Sequence, residues 1–310
     1  MHRRRVGKTP IEVFPLCLGC NVMGWTADEP ASFAVLDAYA AAGGNFLDTA
    51  DVYSSWVPGH AGGESETIIG RWMRARGTRH AMIVATKVGK LPGLEGLSPA
   101  TIATAAEASL RRLDVDRIDL YYAHADDPAT PIAESLGAFD RLVRQGKVRY
   151  IAASNYTAPR LAEALDISAR EGLASYVLVQ PHHNLMHRDD YQGPLRQLCA
   201  ERSISCAPYF SLASGFLTGK YRPGVQVDSP RAGRAAAYLD DRGTRVLAAL
   251  EDIARAHATT MAAVALAWLL ADPTIVAPIA SARSAAQLAG LLPCVNLALT
   301  AEDVARLSAL

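Results

Sequence analysis

Residues 118–124 read Ile-Asp-Leu-Tyr-Tyr-Ala-His, a largely apolar run that ends in a polar side chain. The run is apolar on successive residues rather than on alternate ones, which is typical of a parallel strand covered on both faces. Residues 131–145 follow with apolar side chains at helical spacing. A strand, a polar residue at its end and a helix therefore form one unit of the predicted fold.

Strand-like runs recur about every 30 residues along the chain. They lie at residues 14–18, 45–49, 81–86, 118–123, 148–153, 176–180, 204–208 and 275–279. Helical patterns lie at residues 31–42, 64–76, 98–113, 131–145, 158–171, 189–202, 244–257, 259–271 and 284–292. Residues 300–303 match the capped start of a further, terminal helix. The pattern predicts an α/β fold, a (β/α)8 TIM barrel with an extra C-terminal helix, as one domain over residues 1–310.

A doubly wound open sheet is the alternative arrangement of alternating strands and helices. Such a sheet carries Gly-x-Gly-x-x-Gly after its first strand when it binds a dinucleotide. Here residues 19–24 read Gly-Cys-Asn-Val-Met-Gly, so the motif is missing and the barrel is favoured. One tract rich in Pro, Gly and Arg, residues 222–241, predicts a surface loop or flap.

Composition and charge exclude several classes of partner. The chain has 310 residues, half of them hydrophobic, and its 31 Lys and Arg balance 31 Asp and Glu. This neutral balance gives no electrostatic basis for binding nucleic acid or an anionic membrane. The longest apolar run, residues 261–271, is too short to cross a bilayer. No apolar segment follows the basic start, so we expect no secretory signal at residues 1–5.

The cysteines favour a reducing compartment. There are five cysteines, an odd number, and they are scattered along the chain: Cys17, Cys20, Cys199, Cys206 and Cys294. No disulfide framework is expected, and we predict a cytoplasmic location. Cys17 and Cys20 have the spacing of a redox motif, but residues three apart in a strand point to opposite faces. His182, His183 and His187 lie in a predicted loop rather than on a helix, so no metal site is predicted.

Polar side chains follow the predicted strands at their C-terminal ends, where parallel barrels carry their chemistry. They are Asp48, Lys87, His124, Ser154 with Asn155, Gln180, Tyr209, and Ser281 with Arg283. Tyr53 lies five residues beyond Asp48, in the loop after the second strand. A barrel built for stability alone does not need a polar group after every strand from the second to the eighth. The pattern therefore predicts an active site at this end.

Asp48, Tyr53, Lys87 and His124 form a candidate proton-transfer set. A tyrosine hydroxyl, with a pKa near 10, is a usable general acid, and a nearby lysine ammonium lowers that pKa by stabilising the phenolate. A carboxylate paired with the lysine keeps it charged and oriented. A histidine at the same mouth can hydrogen-bond the substrate oxygen or relay a proton.

The order and spacing of these four residues resemble the catalytic tetrad of the aldo-keto reductases. Asp48 opens the string Asp-Thr-Ala-Asp-Val-Tyr, which ends at Tyr53. Lys87 ends an apolar strand, and His124 ends Tyr-Tyr-Ala-His. The intervals are 5, 34 and 37 residues, and the joint order is far more specific than any one string.

Shorter strings along most of the chain are also similar to that family. They are Gly-Lys-Val-Arg-Tyr-Ile at 146–151, Ala-Ser-Asn-Tyr at 153–156, Gln-Pro-His-His-Asn-Leu at 180–185 and Leu-Thr-Gly-Lys-Tyr at 217–221. Residues 4–9 resemble the N-terminal β-hairpin that plugs the bottom of such barrels. The resemblance thus extends over nearly the whole chain.

The resemblance implies an NADPH-dependent reductase of aldehydes or ketones that also oxidises alcohols in reverse. Tyr53 would be the general acid, and a small carbonyl or alcohol would be the substrate. Because some members of the family act beside ion channels and turn over slowly, a second function is also implied, that of a cofactor-binding regulatory subunit.

The resemblance further implies a nicotinamide cofactor extended across the mouth without a Rossmann motif. Ser154, Asn155 and Gln180 would hydrogen-bond the carboxamide, and Tyr209 would stack on the nicotinamide ring. The pyrophosphate would be wrapped by four residues, Ser211, Leu212, Gly215 and Lys220. The adenosine 2′-phosphate would be held by Ser281, Arg283 and Gln287.

Two expectations complete the predicted site. Arg283 favours NADP(H) over NAD(H), because a guanidinium suits the additional phosphate dianion. Trp25, Trp56 and Tyr156 are the candidate walls of the substrate pocket.

Overall fold

The computed structural model describes residues 3–222 and 224–310. The first two positions, where no secretory signal is expected, lie outside the described residues, as does position 223 of the predicted flap. An antiparallel hairpin opens the described chain and pairs β1 (Arg4–Arg5) with β2 (Glu12–Val13). The N-terminal hairpin is therefore confirmed.

Eight parallel strands form one sheet. They are β3 (Cys17–Gly19), β4 (Phe46–Asp48), β5 (Ile83–Val88), β8 (Ile118–Ala123), β9 (Val148–Ser154), β10 (Tyr176–Gln180), β11 (Ser205–Cys206) and β12 (Ile279–Ala280). A small hairpin, β6 (Lys90–Leu91) and β7 (Leu94–Glu95), follows β5. The strand order is β11-β10-β9-β8-β5-β4-β3-β12, and every neighbouring pair is parallel.

The sheet curls until its two ends hydrogen-bond through the segment that leads into β12. The Cys206 N–H donates to the Thr274 carbonyl, and the Val276 N–H donates to the Cys206 carbonyl, both at 2.8 Å. The Ile279 N–H donates to the Pro208 carbonyl at 2.9 Å. The C-terminal ends of the strands consequently face one common mouth.

Helices cover the outside of the sheet. They are α1 (Glu29–Ala41), α2 (Glu64–Arg76), α3 (Pro99–Leu113), α4 (Ile132–Arg144), α5 (Ala158–Glu171), α6 (Pro194–Arg202), α7 (Ala232–Ala236), α8 (Asp241–Ala256), α9 (Met261–Leu270), α10 (Ala285–Ala289) and α11 (Ala301–Ser308). Short 3₁₀ turns occur at Arg79–Ala81, Ala213–Thr218 and Leu292–Val295. The terminal helix α11 is confirmed, with its capping box between Thr300 and Asp303.

Local capping explains why some helix boundaries follow the sequence closely. The Ser98 hydroxyl accepts from the Thr101 N–H, and a proline in the first turn of α3 suits the helix start. In contrast, α6 was expected from residue 189 but begins at Pro194. Gly193 has a φ of 93°, which no helix allows, and it ends the preceding loop.

The apolar core has two layers, inside and outside the sheet. The inner layer is formed by side chains such as Leu120 and Leu178, and the hairpin adds Val6 and Val13 to it at the N-terminal ends of the strands. The outer layer packs the sheet against the helices. Cys17 belongs to the inner layer and Cys20 to the outer one, as the strand spacing predicts.

The apolar segment at residues 261–271 forms the buried helix α9. Within the described ranges, no single helix is both long and apolar enough to span a membrane. Only α8 and α9 taken together pass that test, and they meet at a bend of 95°. All five cysteines are free thiols and buried.

Candidate active site

The strand register brings three of the predicted catalytic residues to the mouth. Asp48 is the last residue of β4, and Lys87 lies near the end of β5, which runs two residues further than predicted. His124 directly follows β8, and its N–H donates to the Val88 carbonyl at 3.0 Å. Because β4, β5 and β8 are neighbours in the sheet, these side chains converge.

Lys87 is the centre of the group and is fully buried. Its Nζ donates to Asp48 Oδ2 and to the Thr49 carbonyl, both at 2.8 Å, and to the Tyr53 hydroxyl at 3.3 Å. An ammonium has three N–H groups, so these three acceptors use all of them. The Tyr53 oxygen is an acceptor in this contact, which leaves its own proton free to be donated elsewhere.

The environment determines the charge states of Lys87 and Tyr53. Burial alone would lower the pKa of Lys87, but Asp48 and Tyr53 outweigh it and raise that pKa above its ordinary value. Burial raises the pKa of Tyr53, while the Lys87 charge works against that increase without cancelling it. The expected effect of Lys87 is therefore present, but burial outweighs it. Tyr53 is protonated and Lys87 charged at neutral pH.

His124 lies beside Tyr53 as a neutral imidazole. Burial, reinforced by the charges of Lys87 and Lys90, lowers the pKa of His124 well below its ordinary value. The Tyr53 and His124 rings are 6.1 Å apart, edge to face at 76°. His124 Nδ1 is buried without a hydrogen-bond partner in residues 3–222 and 224–310. A neutral ring carries one N–H, which suits it to hydrogen-bond a substrate oxygen.

The loop that carries Tyr53 is fastened to the start of α2. The Tyr53 carbonyl accepts from the Gly63 N–H at 2.9 Å. The Glu64 carboxylate accepts from the N–H groups of Ser54, Ala61 and Gly62 at 2.9 to 3.1 Å. Sequence reasoning predicts only a helix over residues 64–76, so this contact of Glu64 with the Tyr53 loop was missed.

The four residues predicted to contact the nicotinamide form one hydrogen-bonded group. The Tyr209 hydroxyl donates to Asn155 Oδ1 at 2.8 Å, and Asn155 Nδ2 donates to Ser154 Oγ at 3.0 Å. Ser154 Oγ donates to the Gln180 carbonyl at 2.9 Å. Gln180 Nε2 donates to Asp48 Oδ1 at 2.8 Å. The group therefore connects directly to the predicted catalytic residues.

The residues predicted to hold the pyrophosphate follow β11 in a tight turn. Ser211 Oγ donates to the Pro208 carbonyl at 2.9 Å. Leu212 precedes the 3₁₀ turn, in which Gly215 has a φ of 96°, a conformation that favours glycine. A Cβ added to Gly215 would lie 3.7 Å from Lys220 Cε, so the Lys220 side chain packs beside this backbone.

The residues predicted to hold the 2′-phosphate lie after β12. Ser281 Oγ donates to Asn21 Oδ1 at 2.8 Å. The Arg283 N–H donates to Gln287 Oε1 at 2.9 Å, so Gln287 orders the turn that presents Arg283. No carboxylate in the described chain lies within ion-pair distance of the Arg283 guanidinium.

Sequence reasoning missed Arg231, in the tract predicted as a flap. Its guanidinium lies 5.7 Å from the Trp25 ring centroid, and its buried Nη2 has no hydrogen-bond partner among the residues described. Burial and the neighbouring Arg234 and Arg283 charges lower the pKa of Arg231. A half-buried cation near two others, with no described carboxylate paired to it, fits the phosphates of a dinucleotide. The Arg-rich composition of the tract was the available signal.

Two of the three predicted pocket walls lie at the mouth. Trp56 is 45% exposed and packs edge to face on Trp25, at 5.6 Å, and on Tyr53, at 5.8 Å. Tyr156 is instead buried in the outer layer, where its hydroxyl lies 3.3 Å from that of Tyr176. Its direction depends on packing against the helices, so the structure does not bring Tyr156 to the pocket.

The loop after β10 brings His182 and His187 together although it is not helical. Their rings stack at 3.9 Å and 7°, and His182 also stacks on Tyr209. Asp190 Oδ2 lies 2.9 Å from His187 Nε2, but off the direction of a hydrogen bond. Ligand atoms of His182, His187 and Asp190 lie within 4.8 Å of one another, a group that could hold a metal ion and that the sequence did not predict, although the two parallel rings direct their lone pairs side by side rather than at one point.

A second buried polar group lies behind the Tyr53 loop. Glu66 accepts from Thr86 Oγ1 and from Arg112 Nε, both at 2.6 Å. Asp51 is fully buried, and neither of its oxygens has a hydrogen-bond partner in the part of the chain described. Burial, followed by the charge of Glu66, raises the pKa of Asp51 to about 7.

The comparisons with known proteins agree with this geometry. The model of the Aldo/keto reductase family matches residues 15–310. The uncharacterized oxidoreductase YrpG of Bacillus subtilis is 32% identical over 97% of this chain and 93% of its own length. A probable voltage-gated potassium channel subunit beta of rice is 31% identical over 93% of this chain and 89% of its own. The aryl-alcohol dehydrogenase [NADP(+)] of Phanerodontia chrysosporium is 29% identical over 98% and 84%.

These matches define the class of protein as an oxidoreductase. The chain belongs to the Aldo/keto reductase family. Members of this family typically use a nicotinamide cofactor.

Proposed function

We propose that this protein is an NADPH-dependent reductase of aldehydes or ketones, reversible toward alcohol oxidation, with Tyr53 as general acid. One observation carries the proposal. All three N–H groups of Lys87 are used, one of them on the Tyr53 oxygen, so the phenol proton can be given to a substrate.

The residues support a simple sequence of events. A reduced nicotinamide, when bound, supplies the hydride for the carbonyl carbon. Tyr53 gives its proton to the carbonyl oxygen and becomes a phenolate beside the Lys87 ammonium, which stabilises it. Asp48 keeps Lys87 charged and in place. The neutral His124 can hydrogen-bond the substrate oxygen and so orient the carbonyl.

Several observations support NADP(H) at this mouth. Tyr209, Asn155, Ser154 and Gln180 already form one connected group suited to an amide and an aromatic ring. The 2′-phosphate of NADP(H) would be held by Arg283, with Arg231 near the pyrophosphate. Lys220 packs beside Gly215 in the turn that would wrap the pyrophosphate. NAD(H) lacks the 2′-phosphate, so it would leave Arg283 without a phosphate partner.

We also propose a closed barrel and a pocket lined by aromatic side chains. The hydrogen bonds between the two ends of the sheet support a closed (β/α)8 TIM barrel, with residues 1–310 as a single domain. The edge-to-face contacts of Trp25 and Trp56 beside Tyr53 support aromatic aldehydes as substrates. The Phanerodontia relative, named as an aryl-alcohol dehydrogenase, agrees with this choice.

NADPH consumption with a panel of aromatic and aliphatic aldehydes tests the proposal. Tyr53→Phe removes the proton but keeps the ring, and we expect at least about a 100-fold loss of turnover with NADPH affinity preserved, the usual range for a general acid. Tyr150→Phe is the matched control and should retain activity. Near-normal turnover of the Tyr53→Phe protein would remove Tyr53 from the acid role.

The relatives also favour a second candidate function, a cofactor-binding regulatory subunit. The rice relative is named as a potassium channel subunit. This candidate predicts tight NADPH binding without appreciable turnover of any aldehyde in the panel, whereas the reductase predicts both.

A further inference from the structure

Gln180 contacts the predicted catalytic residues as well as the predicted cofactor site. It is the last residue of β10 and is 2% exposed. Its Nε2 donates to Asp48 Oδ1 at 2.8 Å, while Lys87 Nζ donates to Asp48 Oδ2 at the same distance. The two oxygens of one carboxylate are therefore held by two different side chains.

This contact fixes which way the Gln180 amide points. A carboxylate only accepts hydrogen bonds, so the NH₂ end of the amide must face Asp48. The Oε1 end is therefore turned away from Asp48.

The backbone carbonyl of Gln180 links this residue to the other residues predicted to contact the nicotinamide. Its carbonyl accepts from Ser154 Oγ, which in turn accepts from Asn155 Nδ2. Asn155 Oδ1 accepts from the Tyr209 hydroxyl. Gln180 thus joins the Tyr209 ring at one end to the Asp48 and Lys87 pair at the other.

We propose that Gln180 is a positioning residue that holds Asp48, and through it Lys87, in the arrangement from which Tyr53 exchanges its proton. The inference rests on the proposed function and adds a residue to its proton-transfer machinery. Without the amide donor, the negative charge of Asp48 attracts the Lys87 ammonium more strongly. The ammonium is then drawn away from the Tyr53 oxygen, and the phenolate loses part of its stabilisation.

Gln180→Met tests this role because the side chain keeps its length and loses its donor. Alcohol oxidation needs the phenolate, so its pH profile at saturating NADP should move upward. A hydrogen bond to a charged group corresponds to about 1 to 2 pKa units, and we expect about half of that to reach Tyr53 through Asp48 and Lys87. The expected shift is therefore about 0.5 to 1 pH unit.

Gln180→Glu gives a second and different outcome. While the new carboxyl is protonated it can still donate to Asp48, so activity should be close to that of the native protein at low pH. Once it ionises, a second negative charge faces the pair and oxidation should fall. Tyr150→Phe is the control, since this residue of β9 loses a hydroxyl that no hydrogen bond of the described residues joins to Gln180, Asp48 or Lys87.

The readouts separate the possible roles. A weaker NADPH affinity with an unchanged pH profile would show that Gln180 serves only the cofactor and would overturn the proposal. A lower melting temperature with an unchanged profile would indicate a merely structural role and would also overturn it.

A spectroscopic measurement keeps the inference testable if the proposed function fails. Tyrosines labelled with ¹³C at Cζ report the hydrogen bonding of each hydroxyl by NMR, and Tyr53→Phe assigns the Tyr53 signal. We expect Gln180→Met to move this signal at neutral pH, with no change in the Tyr150→Phe protein. A native protein without turnover would refute the reductase alone, whereas an unmoved Tyr53 signal would refute the role of Gln180.

Discussion

Asp51→Asn tests the buried carboxyl group behind the Tyr53 loop. Asp51 is fully buried and its oxygens are unpartnered in the described chain. Burial and the charge of Glu66 raise its pKa to about 7, whereas an aspartate in an unfolded chain has a pKa of about 3.9. The folded protein therefore holds this proton more tightly than the unfolded chain by about 3 pKa units.

The sign of the effect on stability follows from that difference. Below the unfolded pKa both states carry the proton, so there is no penalty. As the pH rises through the two pKa values, the unfolded chain releases its proton first and the folded state becomes relatively less stable. Between about pH 5.5 and about pH 8.5, the linkage relation predicts that Asp51 alone lowers the free energy of unfolding by about 2 kcal/mol. Because an asparagine side chain does not ionise, the Asp51→Asn protein does not lose this stability.

Urea unfolding followed by tryptophan fluorescence measures the difference. The free energy of unfolding of the Asp51→Asn protein should rise by about 2 kcal/mol relative to the native protein across that interval. Asp189→Asn, at an exposed position, is the control and should show a constant difference. A constant difference for Asp51→Asn as well would mean that the folded protein does not retain this proton, and the reasoning would be refuted.

The remaining predictions concern the charges of the site. Lys87→Met keeps the stem and deletes the charge, so with NADP binding intact the pH profile of residual alcohol oxidation should move upward; an unchanged profile with full activity would contradict the role of Lys87. Arg283→Ala should weaken NADPH binding by about 10- to 150-fold and NADH binding far less, because only NADPH carries the 2′-phosphate. Equal weakening of both cofactors, measured by fluorescence titration, would show that Arg283 does not contact that phosphate.

The sequence predicts well those features that are encoded locally. Ser98 and the proline after it fix the start of α3, and the apolar run of β8 fixes both of its ends. Asp48, Lys87 and His124 were predicted at one mouth because parallel strands present their C-terminal ends together. The structure does bring these residues together with Tyr53.

Features that depend on tertiary packing could not be predicted in this way. The direction of the Tyr156 ring is set by Tyr176 and by the helices outside the sheet. Arg231 is distant in sequence from Trp25, and only the folded loop brings them together. The net pKa of Tyr53 was expected to fall, but burial is a property of the whole site and outweighs the one charge that the sequence identifies.

The fastening of the Tyr53 loop to α2 divides that loop into two parts with separate tasks. Glu64 and Gly63 hold the backbone at Tyr53 and Ser54, while Trp56 projects from the segment between these anchors. Because Trp56 packs on the Tyr53 ring, this segment can vary in size and polarity without moving the phenol where an aromatic side chain is kept at Trp56. Exchange of this short segment between relatives offers a route to new substrate selectivity in which the chemistry is left unchanged.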